Sequence, residues 1–480
     1  MPASDPTWVI CGDVRKTFAK DTKVVKRMNE LERLAKFISE IKYDDIPSSV
    51  IEAGKLCVLD SVAAAAGASG DELAVNIAGE YKSYYANINE VDIWGMGMKV
   101  PMIQGAFINS LMGHRLELDD VHTKSKTHIG TVVVPVALCM AQYSGASGRE
   151  FLEAVICGYE VMSRIGMAFG VSSHRNKGWH VTSTAGTFGA CAAASKLLKL
   201  DEKKTAHALG MAGTQSFGLW AFLEDSAGSK ILHPARAASS GIESAILAKA
   251  GMTGPRGILT AKDGGLLNAM SDEYDLSMVA RDLGVVYEIK NVDNKPYPCC
   301  RSTHCAIDSA LFLRERYNID VNLIEEIEVS TYLVVYKQCG LTEGSLNPET
   351  PTEAKFSTPY TVAVALSKGN VTLDDFKDEN IKSEDIKNIL KKVRVQPDNS
   401  FTERYPEHWG CRTRIRMNNG DVLETEIRDA LGSVYNPVSA EKIYAKAAPL
   451  LKDAYGSRTD EIINTVLNIE KTDNLNTINL

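Results

Sequence analysis

Residues 186–196 read GTFGACAAASK, a run of small side chains interrupted by a single aromatic residue, Phe188. Small side chains let the backbones of neighbouring helices approach closely, because the side chains at the contact set the distance between helix axes. A helix that carries no polar face is typical of a protein interior. We therefore predict that this segment is a deeply buried helix and that a helical domain surrounds it.

The pattern on both sides of this run is also helical, from Met28 to about residue 285. Between residues 47 and 68 the apolar residues recur close to every 3.6 positions, and Ser48 or Ser49 offers a cap. Only residues 91–95, VDIWG, favour a strand in this half. The predicted helices span residues 47–68, 101–118, 131–143, 148–168, 182–198, 201–217 and 234–250.

The sequence changes character near residue 286. Short segments become rich in β-branched and apolar residues, and Asn419-Gly420 between two of them is a strong hairpin signal. The predicted strands span residues 286–292, 324–336, 393–397, 413–417 and 423–428, with helices at 306–316 and 358–366. Helical patterns return at 439–453 and 459–467.

These patterns predict a fold that is mainly α with an inserted α+β domain. A large helical domain takes residues 28–288 and 433–480, and a smaller α+β lid domain takes residues 289–432. Residues 1–27 are predicted to form an N-terminal extension. A chain of 480 residues is long enough for two or three such units.

The composition argues against several classes of partner. The net charge is −8, and no basic block has the pattern of a phosphate-binding surface, so we expect no nucleic acid. No apolar run reaches the ~18 residues that span a bilayer, and the first residues lack the apolar segment of a signal peptide. The ten cysteines have no metal-binding spacing. We predict a cytoplasmic protein with reduced thiols and no membrane contact.

Residues 117–128, ELDDVHTKSKTH, place three acids, two histidines and two lysines in a short loop between helical patterns. Loops held by rigid helices are favoured places for reactive groups. Two functional interpretations stay open. Asp119, Asp120, His122 and His128 could bind a divalent metal, or they could orient substrate carboxylates and transfer protons. A polar surface loop without function is the simplest alternative.

His180 lies directly before the small-residue helix, in the sequence GWHVTSTAGTFGA. A histidine at a helix N-terminus faces the positive end of the helix dipole, which lowers its pKa and favours neutral imidazole. Neutral imidazole is the form that a general base requires. A structural histidine bonded to a backbone carbonyl is the alternative interpretation.

Two later motifs carry further candidate residues. Lys230, in SKILHP, could hold a carboxylate or act as a base, although a solvated lysine is the common alternative. Arg301, in KPYPCCRSTH, offers the planar fork that matches a carboxylate, and His304 begins the next predicted helix. Tyr336, at the end of a predicted strand, could donate a proton through its phenol.

Five motifs together resemble the MmgE/PrpD family. They are LELDDVH, THIGTVVVPVAL, GWHVTSTAGTFGAC, SKILHPARAASSG and KPYPCCRSTHCAID, in the family's order. The likeness extends from about residue 28 to residue 470. The family includes 2-methylcitrate dehydratases, cis-aconitate decarboxylases and iminodisuccinate epimerases.

The resemblance implies a helical domain with an α+β lid, usually as a homodimer. It also implies catalysis without a metal, flavin or iron–sulfur cofactor, which weakens the metal hypothesis. The residues that fall where family active-site residues lie are His128, His180, Lys230 and Tyr336. We assign substrate binding to Asp119, Asp120, His122, Arg301 and His304.

The chain departs from the animal cis-aconitate decarboxylases in this resemblance. Those enzymes carry Asp at the position of Glu117, Thr at that of Val121, His at that of Cys300 and an apolar residue at that of Arg301. These differences argue against itaconate production, and the added guanidinium implies a differently placed substrate carboxylate.

The leading hypothesis is therefore a cofactor-independent lyase that removes a proton next to a carboxylate on a small di- or tricarboxylic acid. Its reaction is predicted to be dehydration or decarboxylation of a citrate-like or aconitate-like substrate. An epimerase of a dicarboxylic acid such as iminodisuccinate, using the same site, is the first alternative. A non-catalytic binding homologue is the second.

Overall fold

The computed structural model describes residues 28–225 and 227–480. The predicted N-terminal extension, residues 1–27, lies outside the described residues. The fold class predicted from the sequence is confirmed, because a large assembly of helices is joined to a smaller unit built on a four-stranded sheet.

The helical assembly is formed mainly by the first 270 residues. Its helices are α1 (Glu30–Glu40), α2 (Ser48–Ala66), α3 (Glu72–Tyr84), α4 (Met102–Arg115), α5 (Gly130–Ser144), α6 (Gly148–Ala168), α7 (Val171–Asn176), α8 (Val181–Leu197), α9 (Glu202–Thr214), α10 (Leu232–Lys249) and α11 (Leu266–Met270). Two strands, β1 (Val91–Ile93) and β2 (Met98–Val100), form an antiparallel pair between α3 and α4. A third strand, β3 (Val121–His122), lies in the loop between α4 and α5.

Helix α8, which contains the small-residue run, is buried along nearly its whole length. Glycines on the neighbouring helices permit this close packing. A Cβ atom on Gly158 of α6 would lie 3.1 Å from the Gly189 carbonyl oxygen of α8, and one on Gly241 of α10 would lie 2.3 Å from Ala190 Cβ of α8. The sequence prediction of a deeply buried helix is confirmed.

The smaller unit follows β4 (Val292–Asp293), which pairs antiparallel with β3 and so joins the two parts of the chain. Its helices are α12 (His304–Tyr317), α13 (Leu333–Cys339), α14 (Glu343–Leu346), α15 (Pro351–Lys355), α16 (Thr358–Lys368), α17 (Asp378–Ile381), α18 (Glu384–Leu390) and α19 (Asn399–Thr402). Its sheet has the order β6-β5-β7-β8, with β5 (Ile324–Thr331), β6 (Val393–Pro397), β7 (Cys411–Met417) and β8 (Val422–Ile427). The β5–β6 pair is parallel, and the predicted hairpin at Asn419-Gly420 joins β7 to β8, where Gly420 has a φ of 89°.

The chain ends in two helices, α20 (Ala440–Tyr455) and α21 (Thr459–Leu467), which pack against α2. Their apolar residues, including Leu451 and Ile462, belong to the same core as α2 and α8. A second core takes residues between Tyr297 and Ala430. The exact domain boundaries given above stay a prediction.

Two predicted strands are wrong. Residues 286–292 form a 3-10 turn (Glu288–Asn291) followed by the short strand β4. The strand predicted for 324–336 ends at Thr331, because its partners run out there: Thr331 pairs with Pro397 of β6 and with Cys411 of β7. The remaining apolar residues continue as α13, since a short apolar run fits a buried helix as well as a strand.

No helix in the described ranges, 28–225 and 227–480, is both long and apolar enough to cross a membrane.

We predict that Gly241→Ala destabilises the protein by about 1–3 kcal/mol, the usual cost of overpacking a core. The added methyl group would meet both Ala190 Cβ and the backbone of α8. Gly79→Ala in α3 is the matched control, because a Cβ there has no neighbour within 4 Å and alanine is the better helix former. Urea unfolding followed by circular dichroism measures both. Equal unfolding midpoints for the two variants would contradict the close packing of α8 and α10.

Candidate active site

A cavity lies between the helical assembly and the smaller unit. His128, His180 and Lys230 line it from the helical side. Cys300 and Tyr405 are among the residues that line it from the other side. The structure therefore brings three of the four predicted catalytic residues to one cavity.

The loop between α4 and α5 supplies the first wall of the cavity, and three contacts fix its path. Lys446 of α20 donates to the Leu118 carbonyl and to Asp60 Oδ1, both at 2.6 Å. The β3–β4 pair holds the middle of the loop. Asp120 accepts from Tyr159 Oη at 2.6 Å and from the Gly130 amide at 2.9 Å, at the start of α5.

The Glu117 carboxylate is the anchor of this wall. Its Oε1 accepts from Lys230 Nζ, and its Oε2 lies 3.2 Å from Lys295 Nζ, which also donates to the Glu117 carbonyl at 3.0 Å. Burial alone would raise the pKa of Glu117, but the charges of Lys230 and Lys295 outweigh burial and lower the pKa below its ordinary value. The residue has a φ of 57°, in the left-handed region that non-glycine residues rarely adopt. Strain of this kind persists where surrounding contacts determine the conformation.

Asp119 organises two imidazoles behind this anchor. Its Oδ2 lies 2.6 Å from His114 Nδ1 and 3.0 Å from His128 Nδ1, while its Oδ1 lies 3.6 Å from Lys295 Nζ. The contact with His114 is a hydrogen bond; the contact with His128 lacks hydrogen-bond geometry and is electrostatic. Burial lowers the pKa of His128 to about 4, because the attraction of Asp119 only partly offsets the loss of solvent.

His180, the residue directly before α8, also lines the cavity. Its backbone amide donates to the Gly218 carbonyl at 3.0 Å, and its Nδ1 lies 2.8 Å from His233 Nδ1. Burial, followed by the charges of His233 and Lys230, holds the pKa of His180 well below its usual range. Since one of the two facing nitrogens must carry the proton of their hydrogen bond, the tautomers of His180 and His233 are coupled.

Four predicted binding residues lie outside the cavity lining, and one of them is Asp119, whose carboxylate contacts the two imidazoles described above. The Asp120 side chain bonds Tyr159 and the start of α5, as described above. His122 is fully buried, with Nδ1 2.8 Å from Ser125 Oγ and Nε2 3.1 Å from Glu288 Oε2. His304 Nδ1 accepts from Arg301 Nη1 at 3.0 Å, and its Nε2 lies 3.4 Å from the Cys299 carbonyl. Each of these side chains is occupied by protein partners, so its assignment to substrate binding is corrected to a structural contact.

Arg301 lines the cavity, but its guanidinium nitrogens already donate hydrogen bonds to protein groups. Nε donates to Asp293 Oδ2 at 3.1 Å, Nη1 donates to His304 and to the Leu431 carbonyl, and Nη2 donates to the Ala430 carbonyl at 3.4 Å. Its assignment as a carboxylate clamp is therefore corrected, because all three nitrogens already have protein acceptors.

Tyr336 is not among the residues that line the cavity. It lies on α13 rather than at a strand end, and its helix neighbours Val334 and Gln338 face the cavity. Residues two positions apart on a helix point to nearly opposite sides, so the geometry that exposes Val334 turns Tyr336 away. Its assignment as a proton donor is corrected.

Sequence reasoning missed several residues that the structure brings together. His114, Glu117, His233 and Lys295 each contact a predicted residue within hydrogen-bond or ion-pair distance. His114 lies in the last turn of α4, three positions before Glu117. This closeness in sequence to the acidic loop is the feature that could have indicated its contact with Asp119. His233 and Lys295 stand inside the quoted motifs.

The structure changes the metal hypothesis. Asp119, Asp120, His122 and His128 do not converge on one point, because Asp120 and His122 turn to separate partners. In the described ranges, His114, Asp119 and His128 instead place one ligand atom each within 4.8 Å of one another. The Lys295 ammonium, 3.6 Å from the same carboxylate, repels a cation there and already balances its charge.

Comparison with known proteins finds two family models that match the chain in sequence. The MmgE/PrpD N-terminal domain matches residues 32–278, and the MmgE/PrpD C-terminal domain matches residues 297–471. The chain is similar to the cis-aconitate decarboxylase of Aspergillus terreus, with 27% identity over 459 residues that cover 90% of this chain and 91% of that protein. It is also similar to the cis-aconitate decarboxylase of Homo sapiens, with 27% identity covering 92% and 91%. A mitochondrial 2-methylcitrate dehydratase of Yarrowia lipolytica is 24% identical and covers 84% of this chain and 79% of its own length.

We predict that Arg301→Ala acts mainly on stability. It leaves the Asp293 carboxylate buried without its cation, which costs about 3–5 kcal/mol. Arg412→Ala is the matched control, because its ion pair with Glu426 is exposed and such pairs contribute about 0–1 kcal/mol. Chemical unfolding of both variants measures the difference. An Arg301→Ala protein with wild-type stability and a raised KM would restore the clamp assignment.

Proposed function

The chain belongs to the MmgE/PrpD family, and from that premise we propose that it is a lyase that develops negative charge beside a carboxylate of a compact di- or tricarboxylic acid, by removing a proton in a dehydration or CO₂ in a decarboxylation. The proposed reaction is dehydration or decarboxylation of a citrate-like or aconitate-like substrate, by side chains alone. The names of the similar proteins support this substrate class.

The observation that carries the proposal is a pair of uncharged imidazoles facing one cavity that also holds a lysine. His128 and His180 both have lowered pKa values, so both are neutral at pH 7. A neutral imidazole in contact with substrate is able to take a proton. Lys230 lines the same cavity, with Glu117 fixing its position.

In a dehydration, the imidazole of His128 or His180 takes the proton on the carbon next to a carboxylate. The electrons move toward that carboxylate, and the hydroxyl group on the neighbouring carbon leaves as water once it has received a proton. The Lys230 ammonium stabilises the negative charge that develops, which is the dominant requirement of this chemistry. We assign proton delivery to the protonated imidazole or to Lys230, in place of Tyr336.

In a decarboxylation, the bond between carbon and a carboxylate breaks and CO₂ leaves. The electron pair stays on carbon, conjugated with a remaining carboxylate, and a proton from a group facing the cavity replaces the lost carboxylate. Both reactions thus need the same stabilised negative charge, and they differ in which bond breaks.

One observation favours an epimerase as the second candidate. The two imidazoles have separate partners, Asp119 for His128 and His233 for His180. Two independently held bases in one cavity offer one group to remove a proton and another to return it to the other face of the same carbon, as an epimerisation of a dicarboxylic acid requires.

We also propose a homodimer in the cytoplasm. Tyr143 and Ile246, which are 56% and 37% exposed, line a shallow groove on the helical assembly and offer apolar surface to a second copy. The nine cysteines of the described ranges are free thiols, which suits a reducing compartment. Light scattering should give about twice the chain mass of 52.3 kDa, and cell fractionation tests the compartment.

The function is tested by proton NMR of citrate, methylcitrate, cis-aconitate and iminodisuccinate in deuterated water. We expect one tricarboxylic acid to lose water or CO₂, with solvent deuterium in the product where a carbon is protonated. Deuterium exchange at an unchanged carbon skeleton would favour the epimerase. The spectra should be the same after treatment with EDTA. Activity that is lost with EDTA and restored by one metal would revive the ligand group at His114, Asp119 and His128.

We predict that His128→Ala or His180→Ala lowers kcat by about 10²–10⁴, the usual contribution of a general base. His207→Ala is the matched control, since that partly buried histidine bonds only the Gly254 carbonyl, away from the cavity. Because burial lowers the pKa of His128 to about 4, a base at this position stays unprotonated well below pH 6.5. The acid limb of the kcat/KM profile should therefore lie below that of an ordinary imidazole. If both folded variants keep near wild-type kcat, Lys230 becomes the candidate base.

A further inference from the structure

The cavity carries more positive than negative side chains. Among its described lining residues the cations are Lys126, Arg175, Lys230 and Arg301, and the acid is Glu117. The two lining histidines with assigned roles are neutral, as shown above. A ligand that balances this surface is an anion with more than one charge.

Three of these four cations are already held by protein groups. Lys230 pairs with Glu117, and Arg301 pairs with Asp293. Lys126 donates to the Thr123 carbonyl and, at 2.8 Å, to the Pro406 carbonyl, and its ammonium lies 3.6 Å from the centre of the Trp409 ring.

Arg175 is different. Across residues 28–225 and 227–480 its guanidinium makes no hydrogen bond and no ion pair, and its Nε is buried without a partner. The guanidinium instead makes a cation–π contact with Trp220, whose ring centre lies 4.3 Å from Arg175 Cζ. Burial lowers the pKa of Arg175, as expected for a charge that no counter-ion compensates.

The short helix that carries Arg175 is nevertheless firmly attached. The neighbouring His174 has Nδ1 3.0 Å from the Met270 carbonyl and Nε2 2.9 Å from Thr184 Oγ1, and its ring stacks on Phe169. Ser173 Oγ accepts from the amides of residues 272 and 273. The backbone of α7 is therefore fixed, while the guanidinium is left free for a ligand. Because both nitrogens of His174 are used, His174 is not a further base.

Trp220 connects this cation to the proposed base. Its ring centre lies 4.3 Å from Arg175 Cζ. The same ring centre lies 4.8 Å from the centre of the His180 ring, in an edge-to-face arrangement. A substrate whose reacting carbon meets His180 thus extends along Trp220 toward Arg175.

We propose that Arg175 binds the distal carboxylate of the substrate and so selects for acids with at least two carboxylates. This inference rests on the proposed function for the identity of the reacting end. It reassigns to Arg175 the role that the sequence predicted for Arg301. A planar guanidinium with free N–H groups binds a carboxylate by donating two parallel hydrogen bonds to its oxygens.

The test uses propane-1,2,3-tricarboxylate, an unreactive acid, with the full-length protein and its variants Arg175→Gln and Arg175→Lys. We expect Arg175→Gln to raise the Kd about 10–100-fold, the value of a hydrogen-bonded charge, and Arg175→Lys to recover part of the affinity. Arg236→Gln is the matched control, because that arginine lies on the surface of α10 and is 50% exposed. With the substrate that the NMR panel identifies, Arg175→Gln should raise KM far more than it lowers kcat.

Thermal unfolding separates a binding role from a structural one. Removing a partly buried charge that has no counter-ion should leave the Tm of Arg175→Gln equal to or above that of the wild type. Added tricarboxylate should raise the Tm of the wild type more than that of the variant. A lowered Tm with unchanged ligand response would make Arg175 a structural residue and overturn the proposal. Equal Kd values for wild type and Arg175→Gln would overturn it while the proposed function stands. A wild-type protein that binds neither this tricarboxylate nor any acid of the NMR panel would overturn both.

Discussion

The buried carboxylate of Glu117 is the contact on which the candidate site depends. It joins Lys230, which lies just before α10, to Lys295, which follows β4, and so connects the helical assembly to the start of the smaller unit. A buried charge is costly unless it is paired and hydrogen-bonded, and removal of either lysine would leave that cost only partly offset by the other. The left-handed backbone at Glu117 follows from the same demand, since it aims one side chain and one carbonyl at two lysines.

Burial also sets the protonation states in the cavity. The same loss of solvent that favours neutral His128 and His180 would favour a protonated Glu117, yet the lysines beside Glu117 reverse its effect there. The result is a site that contains bases without charge and cations with fixed positions. This combination suits proton removal from a molecule that is itself anionic, because a charged base would already hold the proton it must take.

The sequence was sufficient for features encoded locally and insufficient for features that depend on distant partners. The helices and the hairpin at Asn419-Gly420 follow from periodicity and turn chemistry, and they were predicted correctly. His180 was found because its position before a helix is visible in the chain. Arg301 and Arg175 could not be told apart, because the acceptors that occupy Arg301 include backbone carbonyls some 130 residues away. The prediction that Tyr336 lies at a strand end was wrong for a related reason. The end of β5 is determined by its pairing with β6 and β7, which come much later in the chain.

The departures from the animal cis-aconitate decarboxylases acquire a location in the structure. Glu117, Val121 and Cys300 all line the cavity, so the differences concern substrate contacts rather than distant packing. Glutamate is one methylene longer than aspartate, and here its two oxygens reach two different lysines. Valine and cysteine remove the hydroxyl and the imidazole that the resemblance places at the other two positions. Under the proposed function, the substrate carboxylates would instead meet Lys230 and the guanidinium of Arg175 on α7.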